Sequence, residues 1–308
     1  MGDPTVFGIE QKSESFEPSA VDESRLRKPP PKYPGLRMFR RNKAAVFGAI
    51  LLIVILFITF VLPLFFDGER TERVGGIHLA PGAEGSTMFG TDYLGRDVGR
   101  IVMEGGSATL KVAGLAALVI VGLGTTIGAL AGYYGGWVDN VLMRITEFFQ
   151  VLPGLLFAIV IVALYGASTK TIVLAIGLIA WPTIARLVRA EFLRQKNLEY
   201  VKAARAIGAN DARIIFKTIM PNTLPVVIVQ STLVMGSAIL FEAGLAFLGL
   251  SNPKDLSWGF YIGANRNYFL SNWWGVTFPG LMIFFTVLSL SLIGDGLQDA
   301  VNPKLRGR

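Results

Sequence analysis

Six stretches without Lys, Arg, Asp or Glu dominate the chain: Ala44–Phe66, Val112–Val138, Phe148–Thr169, Thr171–Ala185, Thr218–Phe241 and Asn267–Gly294. A hydrocarbon core ~30 Å thick needs ~20 helical residues. Five of the runs reach that length unaided. The fourth is extended by Leu187 and Val188 past Arg186, whose side chain can snorkel toward the interface. Gly122, Gly124, Gly128, Pro153, Pro182, Pro225 and Pro279 within these runs would break helices in water. Membrane helices tolerate such residues, and the small ones let backbones approach closely. The pattern predicts an all-α polytopic membrane protein of six helices. The first lies in 37–66, and the others span about 110–134, 145–166, 171–189, 219–242 and 273–294.

Charge then orients the bundle. With the N-terminus placed inside, 21 of the 29 Lys and Arg fall on the inner side and 8 on the outer. Positively charged loops stay in the cytoplasm, so both termini are expected there, in a bacterial cytoplasmic membrane. Between the spans lie three polar pieces. Residues 1–36 contain Pro29-Pro30-Pro31 and predict a disordered cytoplasmic tail, while 67–106 form a Gly-rich extracytoplasmic loop. Residues 190–218 form a helix-like cytoplasmic loop within a core of 107–296, and 297–308 form a second cytoplasmic tail.

Composition narrows the chemistry. Charged residues are 17% of the 308 and hydrophobic ones 52%, too apolar for an ordinary soluble enzyme. The net charge of +7 is accounted for by membrane orientation and does not call for nucleic acid. No cysteine and a single histidine, His78, leave no thiolate nucleophile and no His-cluster metal site. No Gly-x-x-x-x-Gly-Lys-Ser/Thr loop occurs, and Gly166-Ala-Ser-Thr-Lys170 lacks its second glycine. The chain is therefore expected to be no enzyme, to bind no cofactor or metal, and to leave any nucleotide to a partner.

The inner loop carries the most information. Tyr200 to Ile207 are good helix formers, Gly208 suits a left-handed residue past a helix end, and Asn210 or Asp211 can cap a second helix. Pro221 then disturbs the start of the next span. Ala203, Ala204 and Ala206 are small, with Lys202 and Arg205 beside them, which suits close approach by a partner. Elsewhere, Arg144 and Glu147 can pair along a helix. Glu242 ends an uncharged span near an interface and is a candidate for the translocation path. Asp92, Arg96 and Asp97 either organise the outer loop against the core or a receptor, or form a solvated charge cluster. Trp258, Tyr261, Trp273 and Trp274 suggest an outer aromatic belt.

Lys202-Ala203-Ala204, then Gly208, then Ile219-Met220-Pro221 resembles the Glu-Ala-Ala…Gly…Ile-Leu-Pro loop of binding-protein-dependent ABC importer permeases. Lys202 stands where Glu is usual, and Met220 where Leu is. Phe89-Gly90-Thr91-Asp92-Tyr93-Leu94-Gly95-Arg96-Asp97-Val98 is similar to the Gly-Thr-Asp-x-x-Gly-Arg-Asp segment of the dipeptide/oligopeptide/nickel subfamily. Phe39-Arg40-Arg41-Asn42-Lys43 resembles the N-terminal part of its C-type subunit, and Phe241 to Leu250 followed by Ser257-Trp258-Gly259 is also typical. The resemblance covers most of 37–300. It implies a type I core of five helices with helix 1 added, and a coupling helix that carries Glu199, Lys202, Ala203, Ala204, Arg205, Gly208 and Pro221 to an ATPase subunit. It also implies a homologous second permease, two cytoplasmic ATP-binding subunits holding ATP and Mg, and an extracytoplasmic solute-binding protein. Import of dipeptides, oligopeptides or related small peptides is the expected function, with nickel or other metal chelates as the alternative. A channel would need a selectivity-filter signature and a membrane enzyme a nucleophile or metal cluster; neither is visible.

Overall fold

The computed structural model describes residues 34–66, 72–252 and 254–301. Among them the regular structure is helical, apart from two isolated antiparallel bridges, Arg73–Arg96 and Thr91–Asp97. Most of the anticipated tail 1–36 and residues 302–308 lie outside the described residues.

The chain begins with α1 (Pro34–Arg41) and α2 (Lys43–Leu56). Asn42 separates them, its side chain accepting from the Ala45 N–H at 3.1 Å, a standard N-cap. A π-turn over Phe57–Val61 and a 3₁₀ turn over Leu62–Phe65 carry the span onward. Phe47, Ile50, Ile53 and Leu64 point outward along it, a surface that suits lipid and would be a liability in water.

Helix α3 (Val98–Tyr134) has 37 residues. It starts inside the segment assigned above to the outer loop, because Asp97 caps it: the Gly99 N–H donates to Asp97 Oδ1 at 2.8 Å. The predicted span 145–166 proves to be two helices, α4 (Gly136–Val151) and α5 (Gly154–Tyr165), bent by 88°. The break has a local cause. Leu152 precedes Pro153 and is pushed out of the helical region to ψ 130°.

Then follow α6 (Thr169–Gln195), α7 (Glu199–Ala206), the short α8 (Asp211–Arg213), α9 (Met220–Phe247), α10 (Trp258–Asn265) and α11 (Trp274–Val301). Among the described residues five helical segments are long and apolar enough to cross a membrane, six if the bent α4–α5 pair is counted as one broken span. The last helix continues to Val301, past the expected start of the tail at 297.

The α3–α6 pair is the spine of the bundle. Gly124, Gly128 and Gly132 recur every fourth residue on α3 and face Ile184, Ala185 and Phe192 of α6. A Cβ at any of them would run into that neighbour, so the glycines set the interhelical distance. Around this seam Ile120, Ile176, Ile184, Val188 and Phe192 are buried. The aromatic belt expected of Trp258, Tyr261, Trp273 and Trp274 is largely absent. Trp258, Tyr261 and Trp274 are buried, and only Trp273 is half exposed. The outer segments fold over them instead of leaving them at an interface.

Candidate functional site

At one end of the bundle the chain leaves α6, makes α7 and returns through α8 to α9. Gln195, 2% exposed, anchors the exit: its amide donates to Thr223 Oγ1 at 3.2 Å, and its carbonyl oxygen accepts from the Tyr200 hydroxyl at 2.8 Å. Lys196 Nζ donates to the Gly132 carbonyl at 3.0 Å, tying the same turn to α3. Val201 is the one fully buried side chain of α7.

Gly208 ends α7 in the left-handed region at φ 81°. The Gly208 N–H reaches the Arg205 carbonyl at 3.0 Å, and the Ala209 N–H reaches the Ala204 carbonyl at 3.1 Å. These two bonds form the Schellman turn that the sequence predicts at this glycine. Asn210 then caps the next helix, accepting from the Arg213 N–H at 2.9 Å. The following strip is a π-turn over Ile214–Ile219, not the ordinary helix expected there. Pro221 sits in the first turn of α9, where its missing N–H costs little. Ile214 and Ile219 are fully buried and lock the strip onto the bundle.

The outer face of this hairpin is left open. Lys202, Ala203, Arg205, Ala206 and Gly208 are exposed and Ala204 is half-buried. Ile207 is 83% exposed, and a Cβ on Gly208 would meet nothing. Glu199 and Lys202 approach to 3.6 Å, but both are solvated, so the pair contributes little. The structure thus gathers Glu199, Lys202, Ala203, Ala204, Arg205 and Gly208 on one projecting element, with Pro221 at its base.

The opposite end holds Asp92, Arg96 and Asp97. Asp92 is fully buried and Arg96 is 8% exposed, so they are no solvated cluster. Arg96 Nε donates to Asp92 Oδ2 at 2.7 Å, while Asp92 Oδ1 accepts from the Leu94 and Arg96 N–H groups at 2.8 and 2.9 Å. The guanidinium lies 5.6 Å from the Tyr93 ring centre and 6.0 Å from that of Tyr261. Burial pushes the Tyr261 phenol above its ordinary range and the Asp92 charge adds to that, so Tyr261 stays protonated. Trp274 Nε1 donates to the Thr91 carbonyl at 3.0 Å. Gly95 stands at φ 76° against the Gly75 carbonyl, and Asp97 caps α3. The Gly-Thr-Asp-x-x-Gly-Arg-Asp run is therefore a folded plug that closes this end of the bundle.

Glu242 is 2% exposed, beside the hydroxyls of Ser257 and Thr109, with Oε2 lacking a partner. It is sealed among α3, α9 and α10, out of contact with solvent. Arg144 and Glu147 do pair, at 3.2 Å. Sequence reasoning missed Asp139 and Arg189, which form a two-bond ion pair at 2.5 and 2.7 Å between α4 and α6. Fifty residues separate them, and no local pattern joins them.

A family model described as "Binding-protein-dependent transport system inner membrane component" matches residues 124–307. A second, "N-terminal TM domain of oligopeptide transport permease C", matches 35–81. The dipeptide transport system permease protein DppC of Alkalihalophilus pseudofirmus is 38% identical over 88% of this chain and 89% of its own length. DppC of Bacillus subtilis is 39% identical over 88% and 85%. The glutathione transport system permease protein GsiD of Pectobacterium atrosepticum is 35% identical over 88% and 90%. Among solved structures, the inward-facing MetNI methionine ABC transporter superposes with a TM-score of 0.56 at 19% identity. That match covers 66% of this chain and 96% of the other, and it supports the fold alone. With both family models matched in order and close relatives across most of its length, this chain belongs to the binding-protein-dependent transport system inner membrane component family, the permease subunits of ABC importers.

Proposed function

We propose that this chain is the permease subunit of an ATP-driven importer of dipeptides or other small peptides in a bacterial inner membrane. The observation that carries the reading is the α7–Gly208 hairpin. It projects from the bundle on a fixed Schellman turn, anchored through Gln195 and Tyr200, and offers Lys202, Ala203, Arg205 and Ile207 to a partner. A cytoplasmic ATPase subunit, binding ATP and Mg in its own site, would grip this hairpin. Because the hairpin is continuous with α6 and α9, rigid-body movement on ATPase closure would tilt both spans and alternate access to a central path. A homologous second permease would supply the other wall, a second ATPase would grip its loop, and an extracytoplasmic binding protein would deliver solute over the Asp92 end. Peptides are preferred to nickel chelates because the relatives above are named for dipeptide and glutathione transport.

The test is uptake by proteoliposomes holding the assembled importer and its binding protein. Labelled dipeptide should accumulate with ATP, uncompeted by a nickel chelate; accumulation of the chelate alone reassigns the substrate. The charge bias supports a cytoplasmic location for both termini. In this cysteine-free chain, Asn210→Cys should react with an impermeant thiol reagent only after permeabilisation, and Leu270→Cys, at a 99% exposed site, should react in sealed cells. Reaction of position 210 in sealed cells would invert the topology.

A further inference from the structure

A cleft of about 590 Å³ opens between α4 and α6, lined chiefly by Asp139, Asn140, Arg144, Glu147, Arg186 and Arg189. This is a crowded set of charges for a membrane bundle. Arg186 lies nine residues before the end of α6 at Gln195, or about 13 Å at the helical rise. It directly follows the uncharged run Thr171–Ala185, toward the cytoplasmic end of the predicted span 171–189. Asp139 is taken by Arg189 and Glu147 by Arg144. Arg186 is exposed and, among the described residues, has no carboxylate partner. A charge within a span faces the bundle interior or a water-filled cavity, since lipid would exact a large desolvation penalty. Three guanidiniums against two carboxylates leave one uncompensated positive charge, and it is at Arg186.

The rest of α4 is consistent with a wet cleft on this side only. Trp137, Val141, Ile145, Phe148 and Val151 form a separate exposed apolar stripe three to four residues apart. Thr146 is buried behind the cleft and its hydroxyl is satisfied by the Leu142 carbonyl at 2.7 Å, so the wall is a finished surface. The Asp139–Arg189 pair holds α4 to α6 at the cleft's inner end. The volume is that of a small-molecule site.

We propose that this cleft is the cytoplasmic half of the substrate path, and that Arg186 receives the carboxylate of a peptide as it passes. The proposal rests on the peptide-import reading above and names a binding residue for it in this chain. The two neighbouring ion pairs present fixed charges of both signs, which suits a solute carrying an ammonium and a carboxylate. Because the cleft is open and hydrated, the contact is weak and transient, as a path requires.

The test uses the assembled importer in inside-out vesicles, with Asn140→Cys as the only thiol in this chain. Its rates with the anionic sulfonatoethyl and the cationic trimethylammonioethyl methanethiosulfonates are each divided by those for a free thiol. The anionic reagent should be favoured. Adding Arg186→Gln should cut that preference about three- to tenfold, the change one nearby unit charge makes at a partly solvated site, whereas Arg186→Lys should keep it. With receptor saturating, Arg186→Gln should lower peptide turnover and raise the ATP used per peptide, and Arg186→Lys should restore coupling. Failure of the thiol at position 140 to react with either reagent overturns the proposal. So does a preference unchanged by Arg186→Gln, or one that tracks the anionic lipid content of the vesicles. If the wild-type importer carries no peptide at all, the peptide reading fails by itself, while the labelling ratio still decides whether the cleft is the path.

Discussion

The Tyr133 hydroxyl donates to Asp211 Oδ1 at 2.6 Å, joining the last turn of α3 to the return arm of the hairpin that follows Gly208. With the Lys196 bond to the Gly132 carbonyl it is one of the side-chain ties between this region and α3, and it sits where force from an ATPase would enter the bundle. A hydrogen bond to a charged acceptor contributes about 1.5–3 kcal/mol. Tyr133→Phe removes it while keeping the ring, which packs edge-on against Tyr134 at 5.2 Å. The expected outcome is normal membrane abundance and normal ATPase co-purification, with a clear fall in peptide taken up per ATP. Unchanged stoichiometry would mean the α3 tie plays no part in transmission.

Gly208 separates conformation from space. A Cβ there would meet no atom of this chain, yet φ is 81°. Gly208→Ala should therefore cost only the left-handed backbone penalty, about 1 kcal/mol, while Gly208→Val pays more because a β-branched residue is a real outlier there. Ala204→Asp places a charge on the half-buried face of the same element. We expect both Gly208→Val and Ala204→Asp to insert normally and to lose ATP-dependent uptake, with weaker ATPase co-purification. Lys202→Ala, at an exposed and weakly paired position, should transport near wild type. Normal uptake in both bulky variants would remove α7 as the docking element.

Much of the architecture was legible because membrane spans write long uncharged runs, and caps write short local signals. Gly208 and Asn210 are readable on those grounds, whereas Asp97, which reads as part of a charge cluster, turns out to cap α3. Pro153 is visible, but a proline is tolerated within a membrane span. Only the extended Leu152 shows that it splits the span into α4 and α5. Burial of Asp92 and Arg96 was not legible. The groups that cover them, Tyr261 and Trp274, come from well over a hundred residues later in the chain. For the same reason nothing in the local sequence shows that α10 closes over Glu242. Distant pairings such as Asp139 with Arg189 leave no trace in local spacing.

The Asp92–Arg96 pair makes a sharper prediction than a charge cluster would. Removing one partner of a buried pair costs about 3–5 kcal/mol, since the other charge is left stranded. Arg96→Glu adds a second carboxylate beside the first, so the variant should lose abundance as well as transport. The charge exchange Asp92→Arg with Arg96→Glu should not rescue it. Asp92 also accepts two main-chain N–H bonds, which arginine cannot accept. Recovery of abundance in the exchanged variant would show that charge pairing alone holds the plug.

The α3–α6 seam gives the last prediction, and it separates packing from coupling. Gly124, Gly128 and Gly132 let α3 lie against Ile184, Ala185 and Phe192, and at Gly128 the obstruction is the main chain of Ala185, which cannot rotate aside. Small residues at four-residue spacing drive helix association in a bilayer, where there is no hydrophobic force between helices. Gly128→Leu must push the helices apart, and overpacking of this kind typically costs about 1–3 kcal/mol or more. Gly122 belongs to the same helix but stands off that row, with nothing within reach of a Cβ. Gly122→Leu should therefore be harmless, and Gly122→Ala more so, given the better helix propensity of alanine. Thermal stability of the detergent-purified importer, read as loss of the monodisperse peak on heating, should fall for Gly128→Leu and hold for Gly122→Leu. Equal stability of the two leucine variants would show that the glycine row does not set the distance between α3 and α6.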